Sequence, residues 1–193
     1  MRTSAACTLS LPPPPQFEVL PACSTSSRAA SSCIFQNRDG TWSRMGSSDI
    51  QVRKENLYDY PPLLAALQPW GMQYVIDAGS NDGFSTWLFA TALENATVVA
   101  LEASRYNFAM THLNTQALRN VHSVHAALWN GSDLLQLAGQ RLGNWGIQAL
   151  PLVIKSRGAR GERVVGVDVE TLMRQACFPR IDFLKMDIEG AIT

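Results

Sequence analysis

Tyr74-Val75-Ile76-Asp77-Ala78-Gly79-Ser80-Asn81-Asp82-Gly83 is an apolar run that ends in a carboxylate and passes into a glycine-punctuated turn. It reads as a strand feeding a ligand-binding loop. Phe84, Trp87 and Leu88 follow at the i, i+3, i+4 spacing of one helical face, so the unit is strand, turn, helix. Residues 97 to 102, Thr-Val-Val-Ala-Leu-Glu, form a second buried-strand candidate that also ends in an acid, Glu102, nineteen positions after Gly83. A βαβ nucleotide-binding unit places a ribose-binding carboxylate at this spacing.

Charge argues which nucleotide is bound. A dinucleotide turn of the form G-x-G-x-x-G offers its pyrophosphate a helix N-terminus, where free N–H groups and the dipole attract anions. This turn lacks that spelling and carries Asp77 and Asp82, which would repel a diphosphate. S-adenosylmethionine, with an ammonium and a sulfonium, would be attracted. On this reading Gly79 and Gly83 let the main chain approach the methionyl portion, while Asp77 and Asn81 supply acceptors for the amine. An ordinary Asp-Gly turn is the plainer alternative, and Glu102 weighs against it.

The pattern repeats. Residues 121 to 129 read as a third strand and residues 180 to 190 as a fourth, with a helix after Ser104 between the second and third. Asp168 caps a further helix in which Val169, Leu172, Met173 and Ala176 recur at helical spacing. Three short strands are expected in an insertion at residues 134 to 137, 145 to 148 and 164 to 167, with an arginine-containing solvated loop at residues 156 to 163. The fold class is therefore α/β, a parallel sheet with flanking helices. Asp77, Glu102, Ala127 and Asp187 all fall at or just past strand ends, where such sheets bind ligands.

Val75-Ile76-Asp77-Ala78-Gly79-Ser80-Asn81-Asp82-Gly83, Ala100-Leu101-Glu102-Ala103, His125-Ala126-Ala127-Leu128 and the block from Ile181 to Ala191 (IDFLKMDIEGA) together resemble the FkbM family of S-adenosylmethionine-dependent methyltransferases, over about residues 72 to 191. The resemblance implies a class I Rossmann-like methyltransferase fold and methyl transfer to the hydroxyl of a small molecule or glycan. It puts Asp77, Gly79, Asn81 and Gly83 on the methionyl loop, Glu102 at the ribose and Ala127 near the adenine. Asp187 and Glu189 become the candidate catalytic acids, facing the methyl and its acceptor, with Lys185 a weaker candidate and no metal required. The chain departs from the family at Ile192, where a further Glu is expected, and stops at Thr193. The expectation is a domain cut short after its fourth core strand, with an open apolar edge. Two alternatives stand beside it: a non-catalytic cofactor-binding fragment and an NAD-dependent oxidoreductase.

Residues 1 to 57 read differently. A proline run at residues 12 to 15 and a Ser/Ala-rich stretch at residues 24 to 32 carry no sustained apolar period, so a disordered tail is expected. Its four arginines up to residue 48, without lysine, resemble a transit peptide, which suggests a cytoplasmic or organellar protein. Residues 58 to 193 hold the domain, with Pro61 opening a short helix. Of 193 residues 46% are hydrophobic, the net charge is zero and no stretch has the apolar length of a membrane span, which argues against nucleic-acid and membrane partners. Cys7, Cys23, Cys33 and Cys177 lack C-x-x-C spacing and suggest neither zinc nor a disulfide framework, and Cys177 reads as core.

Overall fold

A computed structural model describes residues 7–18, 20–23, 33–138, 147–151 and 161–188. The reading of residues 24 to 32 and most of the arginine-containing loop at 156 to 163 lie outside them.

The central sheet is parallel and built from β3 (Tyr74–Ala78), β4 (Thr97–Glu102), β5 (Val121–His125) and β10 (Phe183–Met186), in the order β10-β3-β4-β5. Each strand is short and rich in β-branched or bulky apolar residues, and both of its faces are covered, as a parallel sheet requires. Val75 and Val98 point to one face, against Leu64 of α1 (Asp49–Leu67) and Phe89, Ala90 and Leu93 at α2 (Phe84–Ala92). Ile76, Val99 and Leu101 point to the other, against Leu172 and Ala176 of α4 (Val169–Ala176). The alternation follows from the two-residue period of a strand.

The chain runs β3, α2, β4, α3 (Arg105–Thr115), β5 outward from the centre, then returns through α4 to lay β10 on the opposite side of β3. Strand order therefore reverses between β3 and β10, and the carboxyl ends of these two strands flank a crevice. The expected α/β architecture and parallel sheet are present. A second sheet, ordered β6-β9-β7-β8, comprises β6 (Ala127–Leu128), β7 (Leu134–Ala138), β8 (Gln148–Pro151) and β9 (Arg163–Val167); β7 and β9 agree with expected insertion strands, β8 meets its expected strand only at Gln148, and the expected third strand breaks after His125 so that β6 joins this sheet. Asp168 caps α4 as expected, its side chain accepting from the Thr171 N–H.

The amino-terminal region corrects three expectations. First, residues 33 to 57 are ordered: β1 (Ile34–Gln36) and β2 (Trp42–Arg44) pair as a hairpin, and α1 begins at Asp49 rather than near Pro61. Pro61 and Pro62 lie inside α1, where they remove the partners of the Leu57 and Tyr58 carbonyls; both residues are exposed, so water can serve instead. Second, residues 7–18 lie along the domain. Ser10 N–H donates to Gln175 O, and the Phe17 ring meets those of His125 and Phe108 at 5.0 and 5.9 Å. Third, the cysteines pair as Cys7–Cys177 and Cys23–Cys33, with Cα separations of 5.7 and 5.0 Å. The first pair is 170 residues apart in sequence, so tertiary structure brings it together and local spacing carries no sign of it. The bridge lowers the entropy lost on ordering a segment that buries little surface.

Arg44, which composition grouped with transit-peptide arginines, is a buried node. Its guanidinium pairs with Asp49 (2.7 Å) and donates to Asn107 Oδ1 (2.8 Å). Asp49 also accepts from the Arg44 N–H, so the hairpin, the first turn of α1 and α3 are joined at one point.

Candidate functional site

At the switch point lies a cavity of about 270 Å³. Gly79, Ser80 and Asn81 line it from the turn after β3, Glu102 and Ala103 from the end of β4, and Lys185, Asp187 and Ile188 from the end of β10. Ala126, Ala127 and Leu128, with Ile147 and Ala149 of the second sheet, give it one apolar end. The opposite wall is a face of α1, through Ser48, Gln51, Val52, Glu55 and Asn56. Four of the expected cofactor residues thus meet in one space: Gly79, Asn81, Glu102 and Ala127. Gly83 does not line it.

Glu102 is the best-defined functional group. Its Oε2 accepts from the Asn81 N–H at 2.8 Å and its Oε1 from the Ser104 N–H at 2.9 Å. Burial raises its pKa, and these two bonds oppose the rise. The Asn107 side chain adds a further bond, so the carboxylate's orientation is fixed before any ligand arrives, and the lone pairs left over can serve a diol.

Asp77 occupies a different position from the one expected. It is fully buried and absent from the cavity wall. Ser85 and Thr86 hydroxyls donate to its Oδ2 at 2.7 and 2.6 Å, and Lys185 Nζ lies 3.1 Å from its Oδ1. With Oδ2 bonded to the two hydroxyls and the buried Oδ1 facing the Lys185 ammonium without a hydrogen bond, Asp77 anchors Lys185 and α2 from inside the protein. The same contacts explain why α2 buries Ser85 and Thr86 while Trp87 and Leu88 stay only partly buried, against the apolar stripe expected there.

Lys185 Nζ also donates to Gly79 O at 2.7 Å and lies 3.7 Å from Asp187. Burial lowers its pKa, but Asp77, Tyr60 and Asp187 together more than offset this and leave it raised. It is a permanently protonated brace between β10 and the glycine turn, which removes it as a base. Asp187, with a side chain 78% exposed and Lys185 beside it, is the acid at the rim. Glu189 lies outside the described residues.

The two glycines are required for a reason other than ligand approach. Gly79 has φ +80°, and a Cβ there would sit 2.1 Å from Asp187 O; Gly83 has φ +81°, and a Cβ would meet Thr111 Cα at 2.6 Å. Both turns pack against protein backbone. Gly79 lets the ends of β3 and β10 touch, and Gly83 lets α2 start against α3.

Asp82 is buried beneath the turn and accepts from the Phe84 N–H at 3.1 Å, so a carboxylate already occupies part of the α2 N-terminus. Its pKa is pushed up to about 7, chiefly by burial and also by Asp49, against the Phe84 bond, Arg44 and Arg53. The unfolded value is about 4, so the folded state holds this proton more tightly. Below about pH 4 the resulting stabilisation is fully present; as pH rises toward 7 the unfolded chain releases the proton first and stability falls. We predict that Asp82→Asn abolishes this decline, a few kcal/mol at most. Denaturant midpoints at about pH 5 and about pH 8 measure it; parallel pH slopes in the two proteins would refute the assignment.

Sequence reasoning missed Arg44, Asp49 and Asn107, which brace the site, and the whole α1 wall. The available signal was polar residues recurring at 48, 51, 55 and 56, one helical face. Compared with protein-family models and with curated proteins, the chain matches none.

Proposed function

We propose that this chain carries the cofactor half of an S-adenosylmethionine-dependent methyltransferase of FkbM type, acting on a hydroxyl. The carrying observation is Glu102, a main-chain-held carboxylate at the end of β4 facing a cavity at the switch point between β3 and β10. That carboxylate would hold the ribose hydroxyls, Ala127 and Leu128 at the apolar end would hold the adenine, and Gly79 to Asn81 would hold the methionyl chain.

Two features favour this donor over NAD. Asp82 Oδ1 takes an N–H of the first turn of α2, the place a pyrophosphate needs. Among the described residues the cavity lining also carries three carboxylates, at Glu55, Glu102 and Asp187, and one cation, Lys185, whose charge Asp77 already balances. Such a lining suits a sulfonium and disfavours a diphosphate.

Sulfonium is an activated leaving group, so the protein's task is alignment and proton removal. The acceptor oxygen forms its bond to the methyl carbon as the carbon–sulfur bond breaks, and the hydroxyl proton passes to Asp187 or to water. Lys185 holds Asp187 and the glycine turn in register. No helix among the described residues is long and apolar enough to cross a membrane. The two disulfides support an oxidising compartment in place of the cytoplasm.

Titration calorimetry with S-adenosylhomocysteine and with NAD tests the reading. S-adenosylhomocysteine is expected to bind and NAD to fail. Glu102→Gln should weaken S-adenosylhomocysteine by about 1–3 kcal/mol, the range for hydrogen bonds to a charged group. A folded protein that ignores S-adenosylhomocysteine overturns the proposal.

A further inference from the structure

The α1 face of the cavity is polar where a packing helix would be apolar. Ser48, Gln51, Val52, Glu55 and Asn56 fall at the i, i+3/i+4, i+7/i+8 positions of a single face, and all line the cavity. Of the residues of α1 only Asp49 and Leu64 are buried, so this face contributes little to the core. Its orientation is nevertheless fixed. At its start Asp49 is locked to Arg44 and through it to Asn107, and near its end the Tyr60 ring meets that of Phe89 at 4.9 Å. A helix pinned at both ends, presenting amides and a carboxylate along the open side of the crevice, is a recognition wall.

Two further observations point to a ligand on this wall. Ser48 Oγ is buried and, among the described residues, has no hydrogen-bond partner, an arrangement costly unless something in the cavity satisfies it. Asn56 is one turn before Tyr60, whose hydroxyl is raised in pKa by burial and feels the charges of Lys185, Asp77 and Asp187. The wall therefore runs toward the same end of the cavity as Asp187.

Resting on the methyl-donor reading above, we infer that α1 is the acceptor-selecting wall, with Gln51, Glu55 and Asn56 bonding the hydroxyls of an uncharged polyhydroxylated acceptor and excluding anionic ones. Gln and Asn side chains each donate and accept, as does a hydroxyl, so they match a polyol at several registers. Gln51 Nε2 donates to Glu55 Oε1 at 3.0 Å, which leaves the Gln51 oxygen and the second Glu55 oxygen for the ligand. Among the described lining residues Glu55 and Asp187 face the space and the one cation, Lys185, is shared between Asp77 and Asp187, so a phosphate or carboxylate group entering it meets like charge.

The test uses the full chain saturated with S-adenosylhomocysteine and ligand-observed NMR with four probes: methyl glucopyranoside, inositol, glucuronate and glucose 6-phosphate. The two neutral probes are expected to bind and the two anions to bind about tenfold more weakly or not at all. The double variant Gln51→Ala/Asn56→Ala should lose neutral-probe binding while it retains wild-type affinity for S-adenosylhomocysteine. If wild-type chain fails to bind S-adenosylhomocysteine, the donor reading falls and this inference with it. If S-adenosylhomocysteine binds but neutral probes do not, or bind no better than the anions, the wall assignment alone is overturned. Loss of S-adenosylhomocysteine affinity in the α1 variant likewise overturns it, because the face would then serve the donor.

Discussion

Replacing Lys185 by methionine is expected to lower the unfolding free energy by about 3–5 kcal/mol, the usual result of stripping one partner from a buried ion pair. Lys185 is 10% exposed and Asp77 is 0% exposed, with 3.1 Å between Nζ and Oδ1. Methionine fills similar space, so the loss would come from charge and not from a cavity. Asp77 would keep the Ser85 and Thr86 hydroxyls but lose its only described counter-charge, and Gly79 O would lose its side-chain donor. The double variant Lys185→Met/Asp77→Asn should recover a large part of the deficit, because no buried charge is then left alone. Urea denaturation of the four proteins in the cycle gives the coupling directly, and a coupling near zero would mean that the pair is incidental.

Gly79→Val should be nearly as damaging, at about 3 kcal/mol or more, for a steric reason independent of charge. Any side chain at this position must accept φ +80° and then place its Cβ 2.1 Å from Asp187 O and 2.9 Å from the carbonyl carbon. Neither neighbour is a flexible side chain that can swing away. The expected response is separation of the ends of β3 and β10, which would open the floor of the cavity and abolish cofactor binding along with stability. Gly40 provides the comparison. Its φ is +89°, yet a Cβ there meets nothing within 4 Å, so Gly40→Ala should cost only about 1 kcal/mol. Equal losses at the two positions, read from thermal unfolding, would show that backbone conformation alone matters and that the contact with Asp187 does not.

What was legible in the sequence depended on how locally each feature is encoded. The four parallel strands were visible because each is a short apolar run bounded by turn residues, and their acidic ends followed from the same reading. Asp168 and α4 were legible because cap and stripe lie within nine residues of one another. β7 and β9 were legible for the same reason, whereas the break after His125 that sends β6 to the second sheet was not.

The misses share the opposite property. Cys7 and Cys177 are neighbours only after the fold is complete. The two prolines in α1 obscured a helix whose exposed face tolerates them, and its cavity-facing side carries polar residues that an apolar search passes over. Asp77 was assigned to the ligand from its place at a strand end. Its partners Ser85 and Thr86 follow eight and nine positions later, and they claim it for the interior. The glycines were correctly singled out, but the requirement comes from Asp187 and Thr111, residues distant in sequence.

The node at Arg44 sets where the folding unit begins. A shortened polypeptide starting at residue 58 would keep all the strands of the parallel sheet and yet lose Arg44, Asp49, half of α1 and one complete side of the cavity. Asn107 would face water in place of the guanidinium, and Asn114, which now exchanges two hydrogen bonds with the Trp42 backbone, would lose both. The amino-terminal hairpin is therefore the outer buttress of the crevice, and trimming to the sheet would leave a scaffold with no walled chamber.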